Sequence, residues 1–258
     1  MGYFVCKINC VKITKLAILI LGLLSFSAQA QKDTLLSIPF YKLSYAVAVP
    51  GLELANRFGT FSSGEMGFTL KHRNHWLAGI KGNFMWSNQV KEDSILQGLY
   101  SGPGIIGIEG NLTDPLLEMR GWAVYLEGGY QLPWLKANKN SGFMATVSAG
   151  IISHKIRISY RNASIPRLDD KDFLKGYDRK SMGFSAKGFF GYYYFSKKRM
   201  INFFAGVEYT YASVKNVRKY NYDTKSYDTA KHENSILGFR LGWILLLNKR
   251  PAEEFYYY

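Results

Sequence analysis

The stretch INFFAGVEYTY, residues 201–211, is apolar and aromatic almost throughout, yet Glu208 sits near its middle with Asn202 and Thr210 close by. Read with a period of two, it separates cleanly. Ile201, Phe203, Ala205, Val207, Tyr209 and Tyr211 share one face, and Asn202, Gly206, Glu208 and Thr210 share the other. Strict alternation of this kind marks a β-strand with two unlike faces. Glu208 therefore either meets solvent from a half-buried strand or faces an enclosed polar interior, and the rest of the chain must decide.

The same alternation recurs. In WLAGIKGNFMW (76–86), Trp76, Ala78, Ile80, Gly82, Phe84 and Trp86 oppose Leu77, Gly79, Lys81, Asn83 and Met85. In 120–132, Trp122, Val124, Leu126, Tyr130 and Leu132 oppose Tyr125, Glu127 and Gln131. In 182–195, Met182, Phe184, Ala186, Phe190, Tyr192 and Tyr194 oppose Ser181, Ser185, Lys187 and Gly191. Near the C-terminus, Leu237, Phe239, Leu241, Trp243, Leu245 and Leu247 oppose Gly238, Arg240 and Gly242. Weaker strands lie near 40–49 and 64–72. A further one, 143–158, changes phase around Gly150–Ser153, which predicts a β-bulge there.

Eight strands result, and their connections alternate in length. The HRNH turn (72–75), the region 133–141 and SKKRM (196–200) are short, whereas 50–63, 88–118, 159–178 and 215–233 are long. Short turns at one end and long loops at the other predict an all-β fold, an eight-stranded antiparallel up-and-down transmembrane β-barrel. Polarity agrees. The uniform face is large, apolar and aromatic at its ends, with Trp76, Trp86, Trp122, Tyr130, Tyr192, Tyr194, Tyr209, Tyr211 and Trp243 as the interfacial girdle. The other face is small or charged. A soluble lipocalin-like barrel is the alternative, and its exterior would not be so continuously apolar.

On this reading Glu208 faces the lumen. Glu65, near one end, Lys71, Lys81, Glu127, Lys187 and Arg240 fall on the same face. Eight strands enclose too little room for an aqueous pore, so side chains fill the interior. Buried charges need partners. The expected pairs, across adjacent strands, are Lys81 with Glu127 and Lys187 with Glu208.

The ends of the chain carry signals of their own. Lys7, Lys12 and Lys15 precede the apolar run LAILILGLLSF (16–26), and SAQA ends at Ala30. This is the layout of a cleaved secretory signal over residues 1–30, with an uncleaved anchor as the alternative. Both cysteines, Cys6 and Cys10, lie inside it, so the mature chain is expected to lack thiols and disulfides. The charge of +14 would fall by three lysines on cleavage. For an exported protein, the excess points to anionic lipid or lipopolysaccharide phosphate and away from nucleic acid. Residues 31–248 make the barrel. Within them RLGWILLL (240–247) resembles a last-strand signal for the barrel insertion machinery, and 249–258 form an acidic-aromatic periplasmic tail.

Chemistry is harder to find. His72 and His75 fall in a short turn and His232 beside a long loop, with no HExxH or paired metal spacing. Ser153 and His154 are adjacent, so a regular strand points them to opposite faces. Asp169, Asp170 and Asp172 mix with Arg161, Arg167 and Lys171 in a solvated loop. SGPGIIGIEGN (101–111) lacks GK[ST] and a following helix, and so is a tight loop and not a phosphate cradle. In PGLELANRFGT (50–60), Arg57 and Phe58 are placed to fold onto the barrel mouth. No catalytic, metal or cofactor site is assembled.

GLELANRFG (51–59), NHWLAGIKGNFMW (74–86), KGYDR (175–179), INFFAGVEYT (201–210), GFRLGWIL (238–245) and EEFYYY (253–258) together resemble the small outer-membrane β-barrels common in Bacteroidota. That group includes members associated with type IX secretion and gliding. The resemblance implies an outer-membrane location and an eight-stranded barrel and brings no defined activity. The expectation is a non-enzymatic structural or accessory subunit of an envelope complex, in contact with outer-membrane lipid. A small-ligand or lipid transport barrel and a lipid-modifying enzyme are the alternatives.

Overall fold

The computed structural model describes residues 38–102, 104–132, 141–160, 165–196, 202–218 and 220–247. The predicted signal segment, the 249–258 tail and the two turns 133–140 and 197–201 lie outside them. Eight long strands alternate along the chain: β1 (Ile38–Leu52), β2 (Phe61–Lys71), β3 (Trp76–Ser87), β4 (Leu116–Gln131), β5 (Gly142–Ser159), β6 (Ser181–Phe195), β7 (Asn202–Asn216) and β8 (Lys231–Leu246). Each pairs antiparallel with its sequence neighbours, and β1 pairs with β8, so the sheet closes into a barrel with no free edge. The closing seam runs from Phe40 opposite Leu246 to Leu52 opposite Asn234.

The alternation read from the sequence becomes an inside and an outside. Along β8, Leu237, Phe239, Leu241, Trp243 and Leu245 are exposed on the outer wall while Ile236, Arg240 and Ile244 are buried within. From Leu237 to Leu247, at about 3.3 Å per residue and a tilt of about 40°, the apolar belt is about 25 Å tall. Above it the outer wall turns polar within one strand repeat: Ser235 and Glu233 on β8, Lys215 on β7, Lys155 on β5 and Arg120 on β4.

The predicted bulge in β5 is absent. Register is unbroken on both sides through the segment, with Tyr125 opposite Gly150 and Trp122 opposite Ser153, and Gly150 opposite Ser185 and Ser153 opposite Met182. The change of phase has another cause. At 18 residues, β5 is longer than the roughly 9–11 needed to cross a bilayer. Its upper part stands clear of the belt, where inward Ile152, Ile156 and Ile158 pack in an apolar core and outward Lys155 and Arg157 meet water. Gly150 is required because a Cβ would lie 1.9 Å from the Val124 carbonyl oxygen.

The long connections all emerge at one end, and they are structured. A short helix (Glu53–Arg57) follows β1, and β2 begins at Phe61, so the first loop is shorter than expected and Glu65 lies mid-strand, not near an end. The second loop holds a 3-10 helix (Asp93–Leu99) and a small hairpin pairing Ile105–Ile106 with Leu112–Thr113. The third carries the short helices Pro166–Asp169 and Lys171–Leu174. At the other end the described turn is 72–75, closed by His72 N–H donating to the Trp76 carbonyl at 2.8 Å.

Candidate functional site: the lumen and its cap

The described inward side chains lie in three layers. At the short-turn end, Phe40, Leu77, Met144, Phe189, Tyr193, Phe204 and Ile244 form an apolar plug. Tyr193 stacks on Phe204 at 4.8 Å, and Phe189 meets Phe204 edge-on at 5.8 Å. The directly paired Gly191 and Gly206 make room for the Phe189 ring, whose tip would lie 2.6–2.7 Å from a Cβ at either. Lys71, fully buried at the foot of β2, sets its ammonium 5.5 Å from the centre of the Phe195 ring.

The middle layer holds the charges. Glu127 accepts from Lys81 at 2.6 Å and from Lys42, with the hydroxyls of Thr69 and Thr146 at 3.4 Å. Glu208 accepts two bonds from the Arg240 guanidinium, at 2.7 and 2.8 Å, and one from Lys187 at 3.4 Å. Glu65 lies 3.2 Å from Lys187 and 3.7 Å from Arg240. Arg240 also donates to the Ser44 and Ser63 hydroxyls. Lys187 lies 5.0 Å over the Tyr125 ring. Three carboxylates and four cations thus interlock, all under 10% exposed.

The two expected pairs meet here, and the cluster is larger than adjacent-strand pairing provides. Lys42 on β1 reaches Glu127 on β4, and Lys187 on β6 reaches Glu65 on β2, both across the lumen. Lys42 was not among the expected residues. It sits in a short, weakly alternating early run, and only closure of β1 onto β8 brings it opposite β4.

The upper layer is apolar and continues into the loops. Leu54 and Phe58 from the first loop, and Ile95, Leu96 and Ile105 from the second, pack on Met85, Met119, Ile152 and Ile156 of the barrel wall. Arg57 and Phe58 do fold onto the mouth, Phe58 buried and Arg57 3.8 Å from Glu92. Ion pairs lace the four loops together. Arg179, in a left-handed conformation (φ 42°) that a non-glycine residue adopts only when its surroundings fix it, bridges Glu92 and Asp223. Arg218 grips Asp178 through two bonds of 2.6 and 2.9 Å. His232 joins Glu53 on one ring nitrogen and Asp228, at 3.1 Å, on the other. Its hydrogen bond holds the Glu53 carboxyl below the usual range. Burial raises Asp228, but the same imidazole together with the Ala230 amide and Asn216 outweighs it, and that carboxyl too is lowered.

The expected girdle residues lie on the outer wall at two levels. Trp76, Tyr130, Tyr192, Tyr194 and Trp243 are near the short-turn end, and Trp86, Trp122, Tyr209 and Tyr211 near the loops. Trp76 and Tyr130 touch edge to face at 5.4 Å, and Tyr45 and Phe84 flank Trp86. Ser153 and His154 point to opposite faces of the unbroken β5, and His154 is buried against Phe58 and Asn234. Among the described residues no group of three His, Cys, Asp or Glu side chains is arranged to hold a metal ion. The side chains of Arg167, Lys171 and Asp172, and residue Arg161, lie outside the described set, while Asp169 accepts from the Tyr160 hydroxyl.

No family model matches the sequence, and no curated protein matches it. Among solved structures, the chain is similar to Neisserial surface protein A (TM-score 0.42, 10% identity, 80% of this chain and 96% of that one). It is also similar to a major outer membrane protein of Thermus thermophilus (0.39, 7%, 81% and 99%). A third is the N-terminal β-barrel domain of Pseudomonas aeruginosa OprF (0.38, 11%, 81% and 100%).

Proposed function

We propose that the protein is an integral outer-membrane β-barrel with a closed lumen, a non-enzymatic anchor or accessory subunit of an envelope complex, exported behind a cleaved signal over residues 1–30. The observation that carries this reading is the filled interior inside an apolar wall. An aromatic plug, an interlocked charge layer and a loop cap succeed one another along the axis, while the outside is a belt of exposed Leu, Phe, Trp and Tyr. Such a belt is unstable in water and suited to hydrocarbon. Among the described residues a lumen filled in this way leaves neither a path nor a reaction chamber, so the cap above the membrane and the 249–258 segment are what is left for function. The secretion or motility setting enters through the family resemblance alone. An affinity pull-down of the tagged protein from gently solubilised outer membranes tests complex membership. Stoichiometric envelope proteins, lost when residues 253–258 are deleted, are expected. Recovery of the protein by itself would contradict the subunit reading.

A further inference from the structure

On the outer wall, just above the aromatic level, β4 and β5 set Arg120 directly opposite Lys155. Lys180 immediately precedes Ser181, the partner of His154, and so continues the row onto the next strand. Like charges facing one another across a sheet repel. Arg120 is partly offset by Glu118 at 2.9 Å, and nearby Arg218 by Asp178. Lys155 and Lys180 have no carboxylate partner among the described residues. These four cations and the paired Phe84 and Trp122 line a cavity of about 300 Å³. Gly121, Ser153 and the inward-facing His154 also border the cavity.

We infer that this cavity binds the phosphorylated headgroup of an outer-leaflet glycolipid. The row of cations is incomplete without an anion, and phosphate oxygens accept several charge-assisted bonds at once. The position selects a lipid over a free phosphate. Trp122, Val124 and Leu126 are exposed below it on the same strand to receive acyl chains, and aromatic rings at headgroup depth are the usual boundary between the two zones. The inference rests on the membrane-embedded reading above and names the lipid contact of that barrel.

The test is native mass spectrometry of the full chain in detergent micelles, titrated with diphosphoryl lipid A and with its phosphate-free counterpart. One retained diphosphoryl lipid per barrel is expected, with the phosphate-free lipid about tenfold weaker, the loss of one or two charged contacts. Lys155→Gln/Lys180→Gln, checked for folding by its thermal melt, is expected to bind the diphosphoryl lipid about tenfold more weakly as well. Lys155→Gln alone, at an exposed side chain, gives a smaller loss in the same direction and serves if the double variant does not fold. Equal binding of the two lipids, or unchanged binding by the folded variants, would overturn the assignment. So would displacement of the lipid by inorganic pyrophosphate at equal concentration, which would make the site one for free phosphate. A chain that stays dispersed without detergent would instead overturn the membrane reading itself.

Discussion

Glu127 holds two buried ammonium groups, those of Lys42 and Lys81, and among the described residues neither lysine has another carboxylate. Glu208 shares its two cations, Lys187 and Arg240, with Glu65. The difference ranks two otherwise similar substitutions. Leaving a buried charge uncompensated costs about 3–5 kcal/mol, so Glu127→Gln is expected to destabilise the barrel by at least that much in urea unfolding from micelles. Glu208→Gln is expected to cost less, because Glu65 remains within reach of both cations. Equal or negligible losses would mean the charge layer does not act as described. Much of this layer was legible residue by residue, since a charge on the small face of an alternating strand has nowhere to go but the lumen. Its pairing was only half legible. Adjacent-strand partners follow from sequence order, whereas Lys42–Glu127 and Lys187–Glu65 depend on the diameter of the closed barrel, which no local pattern encodes.

At the level of the strand and loop, β5 is instructive. Its change of phase around Gly150–Ser153 predicts a bulge from sequence, and the fold gives a different reason for it. In the folded chain the strand rises past the membrane belt, and Ile152, Ile156 and Ile158 point into an apolar cap core on an unbroken register. A second element-scale feature is the glycine pair under Phe189. A Cβ at Gly206 would lie 2.4 Å from the Phe190 carbonyl oxygen and 2.7 Å from the Phe189 ring. Gly206→Ala is therefore expected to cost about 1–3 kcal/mol through overpacking, measurable as a lower midpoint of thermal unfolding in micelles. The cap has its own pH response. Glu53 is held below the ordinary carboxylate value chiefly by His232, and Asp228 against its burial by His232 with the Ala230 amide and Asn216. The stability they contribute is complete above that value and is lost as pH falls through their lowered ones. Hydrogen-exchange protection of the Glu53–Arg57 helix is expected to drop on acidification in the wild type, and His232→Gln is expected to flatten that response. A wild-type helix whose protection is unchanged by acid would contradict the latch.

For the whole molecule, the closed antiparallel barrel was readable because one physical constraint is repeated along every strand: apolar outside, small or charged inside, with loops alternating in length. Of the structured cap only Arg57 and Phe58 were readable. Its ion pairs join Arg179 to Glu92 and Asp223, and His232 at the start of β8 to Glu53, residues far apart in sequence on loops and a strand end with no periodicity. The same is true of the cationic row on the outer wall, which exists only once β4, β5 and β6 are in register. These layers lead to one consequence at this scale. On the proposed closed-lumen reading, the barrel inserts into a membrane without opening it. The most direct measurement is ion flux across vesicles that flotation has verified to carry the protein. The leak of empty vesicles, unchanged as the protein-to-lipid ratio rises, is the result expected. Flux that climbs with that ratio would contradict the closed lumen.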